Sequence, residues 1–129
     1  MSSLKFQKKE RLSSRTEIDT LFKSGQSFLE FPFKVIHKSE PIPENSLGEV
    51  GVLVTVPKRI YKKAVDRNVL RRRTKEAYRL HKSSIYKAIE TKEIKVKIAL
   101  IYIGPKPLSY NEISSKIILI LNRLITIYE

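Results

Sequence analysis

Between Pro57 and Lys82 the chain reads PKRIYKKAVDRNVLRRRTKEAYRLHK, with eleven Lys or Arg among 26 residues and only Asp66 and Glu76 as acids. Wound as a helix from about Val65, at roughly 100° per residue, these side chains sort into two faces. Val65, Val69, Leu70, Ala77 and Leu80 form an apolar arc. Opposite them stand Arg67, Asn68, Arg71, Arg72, Lys75, Tyr78 and Arg79. Arg67, Arg71, Lys75 and Arg79 follow one another at i, i+4, i+8 and i+12, a cationic ridge about 18 Å long. Like charges at this spacing cost a few tenths of a kcal/mol each in an isolated helix. A face made only to be solvated would interleave Glu. Guanidinium forks match phosphate bidentately, and each phosphate they neutralise releases counterions. Asn68 adds a group that both donates and accepts, suited to a base edge, a 2′-hydroxyl or a metal-bound water. Tyr78 offers a ring or a hydroxyl, and Arg73, turned toward the apolar arc, is expected to snorkel.

Other chemistries find little support. With no Cys and two His, His37 and His81, the chain has no thiolate metal site, cysteine nucleophile or multi-histidine centre. The carboxylates Glu10, Glu17, Asp19, Glu40, Glu44, Glu49, Asp66 and Glu76 show no paired metal-ligand spacing, and Asp66 reads as a helix-start residue or salt partner of Arg67. The four glycines are scattered and make no phosphate-cradling loop. No catalytic side chain and no protein-held metal are expected.

The elements that must hold the ridge can be outlined from periodicity. Ser14-Arg15-Thr16-Glu17 fits a capping box. Ile18, Leu21 and Phe22 follow at i, i+3 and i+4, with Gly25 placed for a left-handed helix end. Phe31, Phe33 and Val35 alternate with Pro32, Lys34 and Ile36 as a half-buried strand, and Ser39 to Gly48 should be a loop. Val50, Val52, Val54 and Val56 share one face of a second strand. Lys95 to Ile103 is apolar on both faces beyond Lys97, which predicts a central strand ended by Gly104-Pro105. Ser109 to Glu112 forms a second capping box before the stripe Ile113, Ile117, Ile120, Leu121 and Leu124. Three helices and at least three strands predict an α/β (α+β) two-layer sandwich.

The whole chain of 129 residues has room for a single domain, 1–129, with 1–11 a basic arm. Its formal charge is +13, from 26 basic and 13 acidic residues. A polyanionic partner would relieve that self-repulsion. No stretch has the roughly 18 apolar residues of a membrane span, and Met1 to Lys9 lacks the apolar core of a signal peptide. A cytoplasmic protein facing nucleic acid is expected.

The same residues carry a resemblance. Lys58-Arg59, Lys63-Ala64-Val65-Asp66-Arg67-Asn68, Arg71-Arg72 and Lys75-Glu76-Ala77-Tyr78-Arg79 resemble the signature of the bacterial ribonuclease P protein component. Lys9-Glu10-Arg11-Leu12 through Leu21-Phe22-Lys23-Ser24-Gly25 is similar to that family's opening helix. The resemblance implies a fold like ribosomal protein S5 domain 2, about three helices on a mixed four-stranded sheet with a left-handed βαβ crossover. It implies a ribonucleoprotein in which a catalytic ribonuclease P RNA, with Mg²⁺ held mainly by that RNA, cleaves precursor tRNA to its mature 5′ end. The protein, monomeric apart from RNA, would bind the RNA subunit through Lys58, Arg59, Lys62, Lys63, Arg67, Asn68, Arg71, Arg72, Lys75 and Arg79. The single-stranded 5′ leader would lie in a cleft between sheet and first helix, on Ile18, Phe22, Phe33 and Thr55. Ile18 stands where many members carry a second aromatic, Ile36 where a strand tyrosine is common, Val69 where a basic residue is frequent, and Lys75 where Arg is usual. A ribosomal or ribosome-assembly RNA-binding protein is the alternative. Membrane-surface binding fits poorly, because the face opposite the cations is needed for the core.

Overall fold

The computed structural model describes residues 11, 12 and 14–129. The expected arm, apart from Arg11, lies outside the described residues. Four helices and four strands follow in the order α1 (Arg15–Ser24), β1 (Gln26–Glu30), β2 (Phe33–Pro41), β3 (Glu49–Thr55), α2 (Ala64–His81), α3 (Ser83–Ile89), β4 (Ile94–Tyr102) and α4 (Tyr110–Tyr128). The sheet order is β1-β2-β4-β3. β1 and β4 each pair antiparallel with β2, and β3 runs parallel to β4. The mixed sheet is thus joined across β3 and β4 by a helical crossover, which parallel neighbours require. β4 is internal, as its doubly apolar sequence predicts.

Three elements differ from the sequence expectation. A fourth helix, α3, is seven residues long and buries Ile85 and Ile89, too short to show a helical period. β1 is five residues with one weak alternation, and it pairs along Gln26↔His37 to Glu30↔Phe33. β2 also runs on to Pro41 into the predicted loop, because Ser39, Glu40 and Pro41 find partners in Val96, Lys95 and Ile94.

The two sheet faces are covered unequally. Phe33, Val35, Val50, Val52, Val54, Val96, Ile98, Leu100 and Tyr102 alternate along three strands into the main core, against the buried stripes of α2, α3 and α4. On α4 that stripe is Ile113, Ile117, Ile120, Leu121 and Leu124, behind a complete Ser109–Glu112 capping box. Among the described residues the other face carries only α1 and Leu12, where Leu12, Leu21, Ile36 and Ala99 form a second, smaller cluster.

α1 keeps half of its expected capping box. Ser14 Oγ accepts from the Glu17 amide at 3.4 Å, while the Glu17 carboxylate reaches 3.3 Å toward Lys95 Nζ instead. Gly25 is extended, at φ −73°, rather than left-handed. Glycine is required there for clearance, since a Cβ would lie 2.5 Å from the Leu21 carbonyl oxygen and 2.8 Å from Ile36 Cγ2.

Candidate nucleic-acid interface

α2 buries Leu70, Thr74, Ala77 and Tyr78, a stripe at i, i+4, i+7 and i+8 that faces β3 and α4. The helix is therefore rotated from the arc expected on polarity. Val65 is 64% exposed and Leu80 42% exposed. Tyr78, placed by the sequence among the cations, is wholly buried. Thr74 takes a core position because its hydroxyl bonds back to the Leu70 carbonyl at 2.8 Å, leaving only its methyl to pack. Arg73 behaves as its position predicts, half-buried and donating to the Leu108 carbonyl at 2.5 Å.

The start of α2 has no side-chain cap on Lys63. Arg67 Nη1 instead reaches back to the carbonyls of Tyr61 (2.8 Å) and Lys62 (2.9 Å). Tyr61 in turn donates its hydroxyl to the Gly104 carbonyl at 2.8 Å. Arg67 thereby ties down the loop that presents the exposed side chains of Lys58, Arg59, Lys62 and Lys63.

Asn68, Arg71, Arg72, Lys75, Glu76 and Arg79 line a shallow open groove of about 340 Å³ along the helix. Arg71 donates to the Asn68 side-chain oxygen, so the asparagine aims the guanidinium. Arg79 is held in a two-pronged pair with Glu76, Nε to Oε1 at 2.8 Å and Nη2 to Oε2 at 2.6 Å. Arg72 and Lys75 have no hydrogen-bond or carboxylate partner among the described residues. Partial burial, then the nearby charges of Arg11 and Arg71, pull the Lys75 ammonium below the ordinary lysine range. Like charges held this close favour an anionic ligand.

A second surface lies on the α1 side of the sheet. Register places Leu29 beside Lys34, Lys34 beside Ile101 and Ile101 beside Thr55, one row across all four strands. Lys34 is exposed, Ile101 and Thr55 are half-buried, and Leu29 is 64% exposed. From α1, Ile18 packs against the small cluster and Phe22 is 44% exposed. Phe33 does not belong here. It points to the opposite face, has no exposed surface and meets the Tyr102 ring edge-on at 5.4 Å. One residue of strand parity separates it from Lys34. Leu29, Lys34 and Ile101 escaped the sequence reading because their grouping depends on register between distant strands, although alternation within each strand was visible.

The two surfaces meet around β3. Arg11 bridges to Val52 at that strand's outer edge, and its charge is felt by Lys75 on α2. Arg11 thus places one cation at the sheet edge, within electrostatic reach of the α2 groove.

Neither histidine enters these surfaces. His37 is buried and bonded through Nδ1 to the Tyr128 hydroxyl at 2.7 Å, and desolvation followed by Arg123 lowers its pKa. His81 Nε2 meets Ser114 Oγ at 3.1 Å. Among the described residues, no group of three or more His, Cys, Asp and Glu side chains could hold a metal ion. No described helix is long and apolar enough to cross a membrane.

Known proteins share both the sequence and the fold. Over 97 residues the chain is 33% identical to the ribonuclease P protein component of Porphyromonas gingivalis, covering 75% of this chain and 69% of that one. The RNase P protein of Staphylococcus aureus superposes with a TM-score of 0.65 at 17% identity, over 93% of this chain and 98% of its own. That of Thermotoga maritima gives 0.60 at 21% identity, over 88% and 96%. With residues 6–124 matching the Ribonuclease P family, the chain carrying this arginine-lined helix belongs to the ribonuclease P protein family.

Proposed function

We propose that this chain is the protein subunit of a ribonuclease P ribonucleoprotein, binding the catalytic RNA along α2 and the 5′ leader of precursor tRNA on the α1 face of the sheet. The observation that carries the reading is the pairing of a cation-lined groove with a half-apolar strip, with Arg11 at the β3 edge within electrostatic reach of the groove. The groove is electrostatic and has the charge to track phosphates. The strip offers side-chain surface for unstacked bases, with Lys34 for a phosphate, and stacking of this kind tolerates many sequences.

The chemistry of phosphodiester cleavage belongs, in this proposal, to the RNA subunit and to the Mg²⁺ that it mainly holds. The protein's own residues bind, orient and screen. Arg71 presents a guanidinium aimed by the Asn68 side-chain oxygen that accepts from it, Arg72 and Lys75 supply further positive charge, and Phe22 offers an aromatic surface beside the strip. The work is done in the cytoplasm. Reconstitution tests it: the protein is added to the catalytic RNA of its own organism at low Mg²⁺, and 5′ processing of leader-bearing precursor is timed. Faster processing with tighter precursor binding is expected. No change in either at any Mg²⁺ concentration, or co-purification with ribosomal RNA alone, overturns it.

A further inference from the structure

α1 is ten residues long, too short to hold itself helical without tertiary contacts. Leu21 is its single buried residue and packs with Ile36 and Ala99. Leu21, with half-buried Ile18 one turn before it, fixes the height of the helix above the sheet but leaves it free to swing about that contact. Polar contacts at the two ends stop that swing. At the C-terminal end Lys38 Nζ donates to Ser24 Oγ at 2.7 Å. At the N-terminal end Glu17 Oε2 lies 3.3 Å from Lys95 Nζ and 3.7 Å from Lys97 Nζ.

Lys97 is the unusual member. It is 3% exposed, and its ammonium also meets Glu40 Oε2 at 2.8 Å. Lysine is rarely buried so fully unless it is paired. In a chain with 26 basic and 13 acidic residues, most carboxylates have a wide choice of cations. Two of them, from α1 and β2, nevertheless converge on this one enclosed ammonium from β4. The hydrogen bond from Lys97 holds the Glu40 carboxyl below its ordinary range. Lys38 and Lys97 are register partners, so both end contacts of α1 rise from one cross-sheet row.

We propose that Lys97 is a positioning residue for leader binding: with Glu17 and Glu40 it sets the angle at which α1 crosses the sheet, and so the place of Phe22 relative to the Leu29–Lys34–Ile101–Thr55 row. Lys97 touches no substrate and acts through α1. The inference rests on the leader-binding reading above.

Three variants test it in the reconstituted ribonucleoprotein. Lys97→Met keeps the buried stem and removes the ammonium. Glu17→Gln removes the charge from the partly exposed side, where folding is least at stake. Lys97→Arg restores a cation. The readouts are affinity for precursor with and without its leader, affinity for the RNA subunit, and Tm. A lever of this kind is expected to reduce the leader-dependent preference by roughly tenfold or more in Lys97→Met and Glu17→Gln. RNA-subunit affinity stays within about twofold, since α2 is untouched, and Lys97→Arg recovers most of the preference. Should Lys97→Met not fold, Glu17→Gln decides alone. A folded Glu17→Gln with wild-type leader preference overturns the proposal, as does equal loss on both substrates. A wild-type protein without any leader preference instead overturns the leader-binding reading itself, and the positioning role with it.

Discussion

Removing Arg72 and Lys75 together is the sharpest probe of the α2 groove. Both line it, and neither has a hydrogen-bond or carboxylate partner among the described residues, so their loss breaks no internal contact of that kind there. If each neutralises one phosphate, the slope of log K against log[salt] flattens by about 0.9 per residue, or about 1.8 for the pair. The same relation gives the affinity loss at any one salt concentration. At about 0.1 M each contact contributes roughly 0.9 log units, so the double variant binds the RNA subunit about sixtyfold more weakly; at about 0.3 M the deficit shrinks to about ninefold. The assay is filter binding or fluorescence titration of Arg72→Ala/Lys75→Ala against the catalytic RNA from 0.1 to 0.5 M salt, on the order of the range where such slopes are measured. A deficit that does not shrink with salt, or a slope equal to wild type, refutes the argument that these groups track phosphate. Arg67→Ala makes the internal contrast. Its guanidinium is engaged by the Tyr61 and Lys62 carbonyls, so its loss should leave a deficit that persists at high salt as the Pro57–Lys63 loop loosens.

Further expectations follow from individual contacts. Glu76→Gln removes the carboxylate that offsets the Arg79 charge and should tighten RNA-subunit binding severalfold at low salt, with a steeper salt slope in the same titration. Phe22→Ala should weaken leader-bearing precursor by about 1–3 kcal/mol and leave mature tRNA unchanged in a paired Kd measurement, because a stacked base would lose its aromatic partner. Phe33→Ala should instead lower unfolding free energy by about 3–5 kcal/mol, seen in denaturant melts, with no selective effect on leaders. His37 has a folded pKa below its ordinary 6.5, so the unfolded chain takes up the proton first. The stability it contributes is complete above pH 6.5 and is lost as pH falls toward its folded pKa, and His37→Gln should flatten urea midpoints across that interval.

The limits of the sequence are visible residue by residue. The helix period and the cation spacing placed Arg71, Arg72 and Lys75 on one face correctly, since both are local properties. Tyr78 was misplaced because polarity alone assigns a tyrosine to the wet side, whereas α4 and β3 supply enough apolar surface to bury the whole ring. Val65 and Leu80 erred in the opposite direction: a helix that packs along Leu70, Thr74, Ala77 and Tyr78 has no room for two more apolar positions on the same stripe. Phe33 failed through strand parity. Its neighbour Lys34 faces the α1 side, yet which face of β2 receives α1 is decided by contacts with residues far away in sequence, such as Ala99.

The charges show the same division between local and distant information. Two-thirds of the excess positive charge falls between Pro57 and Lys82, and any reading of composition finds it. What composition cannot show is how those charges are allocated. Arg67 fastens a loop, Arg73 fastens the Leu108 carbonyl, Arg79 is held by Glu76, and Arg72 and Lys75 stand without a hydrogen-bond or carboxylate partner among the described residues, beside Asn68-oriented Arg71. A row of like charges is costly to fold, and here the fold offsets that cost by giving most members an internal acceptor. The members without one mark where an anionic ligand gains most. An interface inferred from charge density alone would weight all these residues equally, whereas the hydrogen-bond pattern predicts that alanine at Arg72 or Lys75 alters the salt slope and alanine at Arg73 alters the melting temperature.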